Sequence, residues 1–183
     1  MNEVQPIKNK RDINAMKKAL HGRDKLLFIV GINSGLRISD ILTLKVGDVR
    51  GKDFVVIREG KTKKAKRFAL NSAIKKAVRE IVPADAPDSE YLFKSRKGDN
   101  QPISRVQAYR ILNAAAVRSG IKSKIGDIGT HSLRKTFGYH AYKNGTDIAL
   151  LMRIFNHSRV DITLRYIGIT QDNIDDVYET ISL

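Results

Sequence analysis

A chain of 183 residues, 42% of them hydrophobic, has room for one domain with a sizeable core, and a second full domain would be crowded. With no cysteine it forms no disulfide, holds no Cys-ligated zinc and carries no thiol nucleophile, a composition that fits a reducing cytosolic compartment. The 34 Lys and Arg against 19 Asp and Glu give a formal charge of +15, which calls for a polyanionic partner. Nucleic acid comes before an anionic membrane, because the charge is spread along the chain rather than gathered on one amphipathic helix.

In chain order, Ile13, Met16 and Leu20 share one face of a first helix that ends before Gly22. Leu26–Ile32 reads as a buried helix stopped by Asn33–Gly35; it is too short to cross a bilayer, and the N-terminus shows no signal-peptide pattern. A soluble, cytoplasmic protein is expected. A third helix is expected from Ser39 as its cap. Phe54–Arg58 and Arg67–Leu70 then form two β-prone runs around a basic loop, Glu59–Lys66, the pattern of a hairpin with a charged tip. Helix resumes at Ser72 and stops at Pro83. A Ser104-capped helix runs through Tyr109, Leu112 and Val117 to Gly120. Further helices start near Thr130, Thr146 and Thr170, with a short one over Val160–Tyr166. The fold class is α+β, predominantly α-helical, with one small antiparallel sheet.

Several constellations suit phosphate chemistry. His131 and Arg134 stand three apart where a helix opens, so they share a face of its first turn, whose free N–H groups also favour an anion. Together they make a phosphate grip, although a surface arginine beside a half-buried histidine is the plainer reading of that spacing alone. Arg37 lies in a tight turn between two helices, with a salt bridge to Asp40 as the alternative to a functional role. The hairpin tip carries Lys61, Lys63, Lys64, Lys66 and Arg67. Its "GKT" is no P-loop, since Val55 stands where that motif needs glycine and a strand follows where it needs a helix. Such a tip would lie in a DNA groove with one lysine reaching a scissile phosphate.

His157 and Tyr166 stand nine residues apart on either side of a turn between two short helices. A phenol with a pKa of about 10 forms a phosphoester that a hydroxyl can reverse, which makes tyrosine apt as a nucleophile toward phosphate. Arg159 and Arg165, with the two guanidiniums above, would favour its phenolate. Ring packing with a wet hydroxyl is the alternative. The four histidines show no metal-ligand spacing and no carboxylate cluster suggests a two-metal nuclease, so neither metal nor cofactor is expected.

Arg37 in SGLRISDIL, Lys61 in GKTKKAKRFAL, His131 and Arg134 in HSLRKTF, His157 in NHSRVDITLRY, and Tyr166 together resemble, in order and spacing, the catalytic domain of tyrosine site-specific recombinases, the phage integrase family. The resemblance runs over nearly the whole chain. The family usually carries a separate N-terminal DNA-clamping domain, whereas here the single catalytic domain, residues 1–183, starts almost at Met1, so the chain is expected to be an excerpt, or a short protein that binds DNA weakly, works with a clamping partner or no longer recombines. It implies attack by Tyr166 on a DNA phosphate, giving a 3′-phosphotyrosyl enzyme and a free 5′-hydroxyl without metal or ATP. Arg37 and Arg134 would hold the non-bridging oxygens, Lys61 (with Lys63 and Lys64 as alternatives) would protonate the leaving oxygen, His131 would assist proton transfer and His157 would bond the phosphate. Lys63, Lys64, Lys66, Arg67, Lys135 and Arg159 are the further expected contacts to double-stranded DNA. Two side chains depart from the family pattern. Asn156 replaces the usual glycine before the second histidine, and Lys135 replaces a common histidine, with little consequence expected. The tail, apolar at Ile169, Ile174, Val177 and Ile181, would dock on a neighbouring protomer or pack on its own domain. A type IB topoisomerase shares the chemistry, and a DNA-binding relic that no longer cuts is the non-enzyme alternative.

Overall fold

The computed structural model describes residues 4–61 and 64–181. Helix α1 (Lys10–Ala19) starts where the Asn9 side chain accepts from the Arg11 N–H at 2.8 Å, and it buries Ile13 and Met16, with Leu20 next to them. Helix α2 (Gly22–Ser34) has no polar stripe: Leu26 to Gly31 are all buried, and it stops at Gly35, whose φ of +61° is the left-handed conformation that glycine adopts freely. Two single-turn helices follow, α3 (Ile38–Ile41) and α4 (Val46–Val49). The longer helix expected from Ser39 is therefore one turn, with Arg37 rather than Ser39 in the cap position.

Strands β1 (Phe54–Arg58) and β2 (Ala65–Ala69) pair antiparallel, with Val55 opposite Phe68 and Ile57 opposite Lys66. Strand β2 begins two residues before the expected Arg67. That shift moves Lys66 from the tip into the ladder. By alternation Lys66 falls on the same face as Phe68, toward the core, and Arg67 on the opposite one. Indeed the Arg67 guanidinium stacks over the exposed Phe54 ring, 3.9 Å from its centroid.

The rest is helical: α5 (Ser72–Ile81, capped by Asn71), α6 (Arg105–Arg118, capped by Ser104), a single turn α7 (Lys122–Ile125), α8 (Thr130–Lys143), α9 (Ile148–Phe155, capped by Asp147), α10 (Val160–Ile167) and α11 (Gln171–Thr180). No helix among the described residues is long and apolar enough to cross a membrane.

Among the described residues the core falls into three clusters. Leu27, Val30 and Ile41 join Val55, Phe68 and Ile74 beneath the hairpin; Met16, Phe28, Leu112 and Leu133 pack α1, α2, α6 and α8; Leu151, Phe155 and Ile167 fix α9 and α10. Helices α2 and α8 pack together at the centre. Two glycines set that geometry. Gly31 on α2 lies directly under the Leu133 side chain, and a Cβ on Gly138 of α8 would lie 2.6 Å from both Ile167 and the Phe155 ring. Backbone therefore approaches α10 at a distance only glycine permits.

The segment before α1 is also fixed. The Ile7 N–H donates to Thr136 Oγ1 at 2.9 Å, His140 Nε2 donates to the Ile7 carbonyl at 3.0 Å, and the Lys8 ammonium lies 5.3 Å over the Tyr139 ring. Pro6 closes against Gly168 at the end of α10, and Val4 against Gly129 at the start of α8.

Candidate active site

Helical spacing puts His131, Arg134, Lys135 and Gly138 on one face of α8. Arg134 is buried, 3% exposed, and donates to the carbonyls of Gly35 and of Phe155, the latter at 2.9 Å. One side chain thus ties the end of α2 to the end of α9. Its guanidinium also lies 4.6 Å over the Phe155 ring and hydrogen-bonds the Tyr166 hydroxyl. Burial pulls its pKa down and Arg37 adds to that, while the charges of Tyr166 and Glu59 oppose them.

Arg37, at the head of α3, does not pair with Asp40. Its partner is Glu59, 3.0 Å away and buried where β1 ends. Asp40 Oδ1 instead accepts from the Gly60 N–H at 3.0 Å, which fastens the hairpin tip to α3. The same Glu59 oxygen is 3.8 Å from Lys66 Nζ, which donates to the Ile154 carbonyl at 2.7 Å. A buried carboxylate therefore sits between two cations and sets the Arg37 guanidinium. Sequence reasoning passed over Glu59, although the signal was present: it is the one acid in the run from Arg58 to Arg67.

Burial lowers the Lys66 pKa from 10.5 to about 8, with Arg134 and Arg37 adding to the effect and Glu59 opposing it. The native state thus gives up this proton before an unfolded chain does. Between pH 8 and 10.5 the unfolded chain binds more protons, so this residue's contribution to stability rises with pH, and below pH 8 the buried ammonium costs most. The gap corresponds to about 3 kcal/mol. Wild type is expected to gain stability relative to Lys66→Met by that order between pH 8 and 10.5 in urea unfolding; a difference independent of pH would refute the assignment.

Tyr166, on α10, is half-buried, with its ring edge-on to Phe155 and His157 at centroid distances of 5.5 and 5.1 Å. Its hydroxyl is 3.4 Å from His131 Nδ1. Burial first, then the charges of Arg134, Lys135, Arg37 and Lys61, hold His131 below its usual pKa, so it is neutral near pH 7 and able to take a proton. His157 Nδ1 lies 3.1 Å from Thr163 Oγ1, which itself donates to the Arg159 carbonyl at 3.0 Å. The hydroxyl has one proton, so Nδ1 is the donor to Thr163 and Nε2 carries the lone pair of the neutral ring. Burial and the two arginines lower this histidine's pKa too. An arriving phosphate would favour its second proton, which turns Nε2 into a donor.

Asn156 explains how the turn survives without glycine. Its φ and ψ of 56° and 48° are left-handed, which asparagine tolerates better than most residues, and the His157 N–H still bonds the Met152 carbonyl at 2.9 Å. The nine-residue interval is a helix cap, a turn and α10, and it brings both rings to one place.

Of the expected residues, Arg37, His131, Arg134, His157 and Tyr166 converge. Lys61 stands exposed at the rim, with its charge felt at His131. Lys64 Nζ lies 3.5 Å from Asn156 Oδ1, and Lys63 lies outside the described residues. Lys66 and Lys135, expected as DNA contacts, are drawn inward instead: Lys135 is 4% exposed, with its ammonium 5.2 Å over the Tyr166 ring. Arg159 is exposed and engaged by Asp161 through both carboxylate oxygens, at 2.9 and 3.1 Å.

Residues 7–172 match the profile of the phage integrase family. The probable integrase/recombinase YoeC of Bacillus subtilis is 48% identical over 182 residues, a match covering 98% of this chain and 97% of that protein. The chain belongs to the phage integrase family. It is a tyrosine recombinase catalytic domain, within a class of DNA strand-breaking and rejoining enzymes. Among solved structures, XerA recombinase superposes over 100% of this chain and 66% of its own, with a TM-score of 0.79 at 18% identity. XerH recombinase bound to its palindromic difH substrate, in a post-cleavage complex, covers 98% of this chain and 54% of its own, with a TM-score of 0.70 at 18% identity. At those identities the superpositions speak for the fold. The chain spans about half the length of the Xer-type relatives it matches.

Proposed function

We propose that the domain performs site-specific recombination on duplex DNA with Tyr166 as its nucleophile. The observation that carries this reading is the placement of the Tyr166 hydroxyl between His131 Nδ1, at 3.4 Å, and the buried Arg134 guanidinium. Tyr166 Oη attacks the phosphorus, its proton passes to neutral His131, and the bond from phosphorus to O5′ breaks. Arg37, Arg134 and protonated His157 stabilise the charge on the non-bridging oxygens of the transition state. Lys61 at the rim protonates the leaving O5′. The 3′-phosphotyrosyl ester keeps the bond energy, so a 5′-hydroxyl from a partner strand restores the backbone and frees Tyr166.

XerH has been captured with its DNA substrate after cleavage, and the same kind of partner suits a chain of charge +15. Assembly on DNA would use the C-terminal segment, where Tyr178 and Ile181 are 79% and 60% exposed. A separate DNA-clamping partner would supply the grip that a catalytic domain alone lacks.

The test is a panel of nicked suicide duplexes whose leaving strand diffuses away. A protein–DNA band that survives SDS is expected for wild type and not for Tyr166→Phe. Salt-sensitive binding without any adduct across the panel would instead mark a DNA-binding relic. Relaxation of one supercoiled circle without recombinant product would mark a topoisomerase.

A further inference from the structure

Lys135 is the feature of the site that the mechanism above does not use. It is 4% exposed, on the face of α8 that carries His131 and Arg134, and its ammonium lies 5.2 Å from the centroid of the Tyr166 ring. Lysine is seldom buried so fully, because removing an ammonium from water is costly. Burying it within one helical turn of a second cation, Arg134, is costlier still. The Tyr166 oxygen gains negative charge as its proton leaves, and cations beside the ring favour that change. Before reaction, the face of the phenol ring attracts a cation at this distance and resists rotation of the side chain away from it.

We propose that Lys135 is a positioning residue for the nucleophile, holding the Tyr166 ring in its attacking place before DNA arrives and favouring the ionised phenol. The inference rests on Tyr166 as the nucleophile. Among the described residues, the charged and titratable groups that face Tyr166 include His131, Arg134 and Lys135 from α8 and His157 from the turn between α9 and α10. Lys135 also helps keep His131 neutral, which leaves that ring ready to take the phenol proton. A histidine at this position, as in the family pattern, would be neutral over much of the working pH range and would supply less of this field.

The first test, a titration, needs no knowledge of the DNA target. Phenolate absorbance is titrated in wild type and in Tyr166→Phe, and the difference isolates Tyr166; the same pair is then measured with Lys135→Met and with Lys135→Arg. Lys135→Met is expected to move the Tyr166 transition to higher pH by about one unit, and Lys135→Arg to restore most of the shift. On a suicide duplex, Lys135→Met is expected to slow adduct formation about tenfold at neutral pH, with the loss shrinking as pH rises and DNA affinity unchanged. A Tyr166 transition that stays in place in Lys135→Met, or an arginine variant as impaired as the methionine one, overturns the proposal. Absence of any adduct in wild type would count against the recombinase reading and leave the titration result standing.

Discussion

Arg134→Lys is expected to lower the rate of adduct formation by roughly a thousandfold, while retaining the positive charge and much of the DNA affinity. A lysine ammonium cannot span the Gly35 carbonyl, the Phe155 carbonyl and a phosphate oxygen together, because it lacks the planar fork that lets one guanidinium do so. Arg134→Ala adds a folding penalty, since two buried carbonyls lose a donor at roughly 1–3 kcal/mol each. Single-turnover cleavage and thermal unfolding measured on both variants separate the two effects. A lysine variant within tenfold of wild type would remove Arg134 from transition-state stabilisation.

Gly138→Ala is the second large effect. The added methyl meets the Phe155 ring and Ile167 at 2.6 Å, and the Arg134 guanidinium already lies 4.6 Å over that ring. Helix α10 has to move outward, which costs roughly 1–3 kcal/mol of stability. Because α10 carries Tyr166, a displacement of about 1 Å is expected to cost on the order of a hundredfold in cleavage. The proportion is the test: at a temperature where the variant remains folded, activity falls far more than the folded fraction. Unchanged activity would show that α10 can move without carrying its tyrosine along.

The sequence made the helices legible where caps and apolar periodicity agreed. Ser104 and the apolar run from Leu26 did so. It misplaced β2 because the basic residues from Lys61 to Lys66 read as one solvated tip, whereas strand pairing gives alternate residues opposite fates and sends Lys66 inward. The candidate site residues were legible through the family resemblance in their order and spacing, whereas HxxR at a helix start or a His–Tyr interval alone favours a plainer reading. Their supports were not found. Glu59, Asp40 and Lys135 act through contacts between residues distant in sequence, and no local pattern announces those contacts. Lys135 looks along the sequence like one more basic DNA contact at a position of little consequence; its place beneath the Tyr166 ring appears only once α10 is packed on α8.

The segment Val4–Lys8 touches α8 at Gly129, Thr136, Tyr139 and His140, and touches the end of α10 at Gly168. These two helices carry His131, Arg134 and Tyr166. The segment is thus a tether joining both helices, anchored in the core by the buried Ile7. A load on residues 4–8 is therefore borne by α8 and α10 together, the helices that hold His131 and Tyr166 3.4 Å apart.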